Sequence, residues 1–255
     1  MKALITGASS GIGYEMAKYL ASKDIDLILV ARRKSRLDKM KKEFKNINVK
    51  VIPLDISLYD NLELLYNSVK DEDIDILIND AWFGLFGDFD KTDLETEFNM
   101  IDLNIKSLHY LTKKFLIDFK EKDSGYILNV ASSAGFSAGP KLSTYYATKN
   151  YVLRLTEAIY EELRNDNSNV HVSALCPGPV ETEFNQVAHG EFSSKGVSAE
   201  YVAKYAIDNM FKNKLIIVPT FKIKFATFIQ RFLPIKLVMK FIYNYQSGKI
   251  NKKDV

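Results

Sequence analysis

The chain has 255 residues, 47% hydrophobic and 26% charged, with 12 Gly and 6 Pro, which fits a folded globular protein and excludes a disordered or fibrous one. One cysteine, Cys176, excludes a disulfide framework and a Cys-rich zinc site. The formal charge of +3 is uneven: residues 220–255 carry eight basic side chains against one acid, Asp254, so residues 1–219 are net acidic and give no general nucleic-acid footprint.

No apolar run approaches the ~18 residues of a membrane span, and Met1–Gly7 is too short for a secretory signal. A cytoplasmic location is therefore expected.

In chain order, Lys2–Ile5 reads as a buried strand, and Thr6-Gly7-Ala8-Ser9-Ser10-Gly11-Ile12-Gly13 leads into the helical pattern Tyr14–Ser22. Gly7 permits a tight turn, Gly11 lets backbone approach a phosphate, and Gly13 lets helix pack on sheet. Ser9, Ser10 and Ile12 complete a turn whose free N–H groups suit a pyrophosphate. The second predicted strand, Leu27–Ala31, ends in Arg32-Arg33. An acid here would hold a ribose 2′-hydroxyl; two guanidiniums instead suit a 2′-phosphate, or else form a solvated start to the helix Lys34–Phe44. After the third strand, Val49–Leu54, Asp55 and Ile56 are placed toward an adenine, Asp55 otherwise serving as a loop acid like an N-cap.

The helix Asn61–Glu72 follows, then the strand Ile74–Asn79 and a long helix Asp93–Lys120 containing Asn104. Strand Tyr126–Val130 precedes Ser132, and the helix Thr144–Leu163 opens with Tyr145 and Lys149, one turn apart on one face. An ammonium beside a phenol is expected to lower the phenol's pKa and make it a general acid–base. Tyr146 is a competing phenol about 100° round the helix. Strand Val170–Leu175, helix Ala199–Lys212 and strand Leu215–Val218 complete the body. Phe184–Gly196 reads as a loop over the substrate, and Phe136, Leu142 and Phe184 as an apolar wall or as packing. The three histidines form no spaced ligand set, so no metal is expected.

Sustained strand–helix alternation predicts one α/β domain: a doubly wound, Rossmann-type, seven-stranded, mostly parallel sheet with helices on both faces. Residues 1–219 form the dinucleotide-binding catalytic body, and residues 220–255 a basic amphipathic helical extension. In the extension Phe225, Phe228, Ile229 and Phe232 share a helical face, interrupted at Pro234. Residues 221–245 either lie on an anionic membrane, cover the substrate pocket, or pack on another subunit.

Taken together, these residues resemble the short-chain dehydrogenase/reductase family. The resemblance rests on Thr6-Gly7-x-x-x-Gly11-x-Gly13, on Asn104, Ser132, Tyr145 and Lys149 as a catalytic tetrad, and on Pro177-Gly178-Pro179-Val180-Glu181-Thr182 as the nicotinamide-binding segment. It implies that Tyr145 protonates an alkoxide, Ser132 hydrogen-bonds the same oxygen, and Lys149 holds nicotinamide-ribose hydroxyls. Asn104 would then hold a water, with Asn79, Ala81, Pro177, Gly178, Val180 and Thr182 on the cofactor. The expected activity is NADP(H)-dependent, rather than NAD(H)-dependent, reduction or oxidation of an apolar, acyl- or lipid-like carbonyl or alcohol. The alternative is a catalytically silent NADP(H)-binding sensor or scaffold. A homodimer or homotetramer is implied by the same likeness. One element departs: Asn79-Asp80-Ala81-Trp82 stands where the family usually has Asn-Asn-Ala-Gly, so Trp82 either narrows the site as a substrate wall or points into packing.

Overall fold

The computed structural model describes residues 1–183 and 196–247. Its main sheet contains β1 (Lys2–Thr6), β2 (Asp26–Ala31), β3 (Val49–Pro53), β4 (Ile76–Asn79), β5 (Gly125–Val130), β6 (Val170–Leu175) and β9 (Ile216–Ile217), in the order β3-β2-β1-β4-β5-β6-β9. Every pairing is parallel. Two short strands, β7 (Val180–Glu181) and β8 (Val197–Ser198), pair parallel beside it.

Apolar side chains on successive strand residues serve opposite faces, which explains the continuous hydrophobic runs. Ala3, Ile5, Leu27 and Leu29 join one core with Met16 and Leu20 of α1 (Gly11–Ala21) and Val202 and Ile207 of α7 (Ala199–Met210). Leu4, Ile28 and Val30 join the other with Leu62 and Leu65 of α3 (Tyr59–Val69), Leu111 and Phe115 of α5 (Leu108–Glu121), and Ile159 of α6 (Ser143–Asn165). The order reverses between β1 and β4, whose ends align with Thr6 opposite Asn79. A ligand crevice is expected at such a point.

The predicted helix Asp93–Lys120 is divided. Asp93 caps α4 (Leu94–Ile101) by accepting from the Thr96 N–H at 2.8 Å, a π-helical stretch spans Asp102–Ser107, and α5 continues from there. Between β2 and β3 lies α2 (Lys34–Glu43). The extension forms α8 (Phe221–Ile229) and α9 (Ile235–Ser247), with Pro234 between them. No helix among the described residues is long and apolar enough to cross a membrane.

Candidate active site

The glycine-rich turn is shaped by its neighbours. Gly7 has φ +69, a left-handed conformation that glycine adopts without strain. A Cβ on Gly13 would lie 2.6 Å from Asp80 Oδ2 and 2.8 Å from Gly7 O, so helix and sheet touch only because no side chain is there. Thr6 Oγ1 accepts from the N–H groups of Asp80 (3.1 Å) and Ala81 (3.2 Å), tying the end of β1 to the exit of β4. Sequence reasoning includes Thr6 in the fingerprint but gives it no role of its own.

These elements bound a cleft lined by Gly7, Ser9, Ser10, Gly11 and Ile12, by Ala31, Arg32 and Arg33, by Asp55 and Ile56, and by Ala81, Trp82 and Thr182. A Cβ at Gly11 would stand 3.2 Å from Thr182 Cγ2, across the mouth. The first-turn N–H groups of α1, the glycine cradle and the flanking cations together suit the phosphates of a dinucleotide.

Arg33 donates to Ser9 Oγ (3.1 Å) and Ser10 Oγ (2.7 Å), and its Nη1 lies 2.9 Å from Glu183. Arg36, one helical turn on, reaches the same carboxylate at 2.6 Å. The two guanidiniums hold Glu183 below the usual carboxylate range. Arg32 is mostly exposed, with Asp55 Oδ2 3.8 Å away. Sequence reasoning missed Arg36, although its three-residue step from Arg33 on a helix was a usable signal, and it missed Glu183, for which no local signal exists.

Other predicted cofactor residues lie outside this lining. Asn79 spends its amide on Thr112 Oγ1 (3.1 Å) and Asn129 Oδ1 (2.9 Å), bracing β4, β5 and α5. Pro177 O accepts from Ser133 N–H at 2.8 Å, Gly178 lies under Ile223, and Val180 packs on the first core. Their effect on the cleft is to deliver Thr182. Phe184 lies outside the described residues.

Against Trp82, Tyr145 and Lys149 project from one face of α6, and both are buried, Lys149 at 1% exposure. Ser132, just past β5, hydrogen-bonds the Tyr145 phenol and accepts from Ala134 N–H at 3.1 Å. Tyr146 turns away: its hydroxyl accepts from Gln246 at 2.9 Å. Lys149 Nζ donates to Val130 O at 2.8 Å and sits 4.3 Å from the Trp82 ring centroid. The expected lowering of the Tyr145 pKa by Lys149 does not hold here. Burial pushes the phenol up, and the opposing influence is Ser132; the ammonium stands 5.9 Å from the ring centroid.

Burial pushes Lys149 down to about 7, partly offset by the charge of Asp80. Asp80 is itself buried and pushed up to about 7, with Lys149, the Trp82 indole N–H (3.3 Å) and the Gly13 N–H working against that rise. No role for Asp80 was read from the sequence.

Asn104 sits in the π-helical stretch. Its Oδ1 accepts from Phe83 N–H (3.1 Å), and its Nδ2 donates to Phe83 O (2.9 Å) and Thr148 Oγ1 (3.1 Å). The carboxamide thus pins the loop after β4 to α6.

Leu142 packs with Tyr145, Met100 and Ala134, beside Trp82, Phe83, Leu85 and Phe86, an apolar surface around the phenol. Phe136 packs on a different cluster, that of Ala131, Val152 and Leu153, in line with the packing alternative. Trp82 lines the cleft and also packs on Tyr145, with ring centroids 6.0 Å apart.

Residues 1–191 match the family described as short chain dehydrogenase. The chain belongs to the short-chain dehydrogenase/reductase family. It is 34% identical over 216 residues to an uncharacterized oxidoreductase of Staphylococcus saprophyticus, covering 83% of each chain. It is 33% identical over 178 residues to a 7β-hydroxysteroid dehydrogenase of Clostridium sardiniense, covering 69% of this chain and 67% of that one. Among solved structures, a short-chain dehydrogenase from Sphingobium yanoikuyae in complex with NADPH superposes with a TM-score of 0.82 at 29% identity, covering 86% of this chain and 88% of that chain. This dehydrogenase/reductase thus shares its Rossmann-type fold with oxidoreductases acting at alcohol and carbonyl groups, and the extension after residue 219 lies beyond the family match.

Proposed function

We propose that this chain is an NADP(H)-dependent oxidoreductase that interconverts an apolar ketone and its secondary alcohol. The observation that carries the reading is the meeting of Ser132, Tyr145 and Lys149 against Trp82, a residue lining a cleft that also holds the glycine cradle, Arg32 and Arg33. Gly7, Ser9, Ser10, Gly11, Ile12 and Thr182 would hold the dinucleotide, Asp55 and Ile56 its adenine, and Arg33 with Arg36 a 2′-phosphate. The bound nicotinamide supplies or accepts a hydride at the substrate carbon. Tyr145 donates its phenolic proton to the substrate oxygen, Ser132 hydrogen-bonds that oxygen, and Lys149 orients the ribose. The apolar surface of Met100, Leu142 and Phe86, and the steroid-directed relative from Clostridium sardiniense, support a bulky apolar substrate.

The extension is read as an anionic-membrane contact. Ile223, Gln230 and Gln246 dock it on Gly178, Phe136 and Tyr146, while Phe221, Phe225, Phe228, Phe232 and Phe241 face outward. Lys222, Lys224, Arg231, Lys236 and Lys240 accompany them, and no acid occurs between residues 220 and 247. Anionic lipid complements this face, whereas a second copy placed symmetrically on it would bring cations against cations. Subunit pairing through α4 to α6 is supported by the exposed Phe98 and Ile117.

Absorbance assays of NADPH and NADH with a panel of bulky ketones test the reading. Tyr145→Phe is expected to lose about a hundredfold or more in turnover while keeping NADPH affinity by calorimetry. Arg33→Ala combined with Arg36→Ala is expected to weaken NADPH about tenfold or more and NADH little. Equal losses for both coenzymes would remove the 2′-phosphate assignment, and binding without turnover on any ketone would favour the silent module.

A further inference from the structure

The largest side chain of the cleft stands at a boundary within it. The open part runs from the arginines to Trp82, Phe83 and Leu103, while Ser132, Tyr145 and Lys149 are buried on the far side of the indole. One N–H of the Lys149 ammonium is given to Val130 O, and the indole face lies 4.3 Å from the nitrogen. An indole covering that cation and a ribose hydroxyl hydrogen-bonded to it compete for the same side of the nitrogen. The indole is tethered to Asp80 Oδ1 by a long 3.3 Å contact, while the backbone beneath it is fixed by Thr6 on one side and Asn104 on the other. With that backbone fixed, uncovering the ammonium is a movement of the Trp82 side chain away from Lys149 and Tyr145.

We propose that Trp82 is a gate over the nicotinamide end of the cleft: its indole covers Lys149 and Tyr145 and swings aside when a nicotinamide ribose engages the ammonium. This rests on the cofactor reading above. It makes Trp82 a specificity residue, because ligands that fill only the adenosine end leave the gate shut, and the complete dinucleotide opens it.

Trp82 is the single tryptophan of the chain, so its fluorescence reports the gate directly. The full chain is titrated with NADP⁺ or with adenosine 2′,5′-bisphosphate, and acrylamide quenching is measured alongside calorimetry. NADP⁺ is expected to red-shift the emission and raise the quenching constant several-fold, while the bisphosphate binds without changing either. A bisphosphate that moves the indole equally, or NADP⁺ binding with no change, overturns the gate and leaves the cofactor reading standing. Failure of both ligands to bind overturns the cofactor reading and the gate with it. Trp82→Gly is expected to tighten NADP⁺ about tenfold, the equivalent of one desolvated cation–π contact, without affecting the bisphosphate. Trp82→Phe keeps a weaker aromatic cover and should fall between; unchanged NADP⁺ affinity in both variants overturns the gate.

Discussion

Lys149 and Asp80 set each other's charge. Burial disfavours the ammonium, and the Asp80 charge partly restores it. The protonated form is lost as pH rises through the Lys149 value, so a step that needs the ammonium fails on the alkaline side. Asp80→Asn removes the charge that raises this value while keeping an oxygen to accept from Trp82. The alkaline limb of kcat/KM is therefore expected to move to lower pH, and a pH–rate profile of the variant against the parent checks it. An unmoved limb would mean that Asp80 does not act on Lys149. At this scale the sequence revealed Tyr145 and Lys149, because a four-residue step on a helix is fixed geometry. It did not reveal the direction of the Tyr145 shift, because burial depends on Met100, Ala134 and Leu142, which reach the phenol from other parts of the chain or by folding back on it.

Among the elements, strands were legible from their β-branched runs, and all seven in the sheet fall within about two residues of expectation at each end. The break in the long helix was not legible, because Asp102–Ser107 contains neither Gly nor Pro and keeps the helical pattern. What marks it is tertiary: Asn104 must meet Phe83 and Thr148 at once, and π turns concentrate at such sites. The seam between β1, α1 and β4 is equally tight. Gly13→Ala would drive a methyl group into the Asp80 carboxylate and Gly7 O, and thermal or denaturant unfolding should record a loss of about 1–3 kcal/mol. An unchanged midpoint would show that the seam relaxes without cost.

Seen whole, the molecule is an acidic body with a basic, aromatic flank. The four core clusters draw no member from residues 221–247, where Val238 is the one buried apolar side chain, so the fold should survive removal of the extension. A chain ending at residue 219 is expected to keep most of its thermal stability. It should lose flotation with phosphatidylserine-containing vesicles, binding that in the full chain weakens with salt and is absent on zwitterionic vesicles. If the full chain ignores anionic vesicles at low salt and instead self-associates through residues 221–247, the flank is a subunit interface. The outward row of Phe225, Phe228 and Phe232 was legible as a helical face, whereas the docking of Gln230 and Gln246 onto Phe136 and Tyr146 was not, since nothing local links residues about a hundred apart.

The clasp of Arg33 and Arg36 on Glu183 has a thermodynamic corollary. The protein carries its own counterion, bolted to the backbone beside Thr182. A ligand phosphate arriving there exchanges with a tethered carboxylate and releases few mobile ions from solution. Its affinity should therefore respond to ionic strength with a shallow slope, as if part of the salt had been built into the chain.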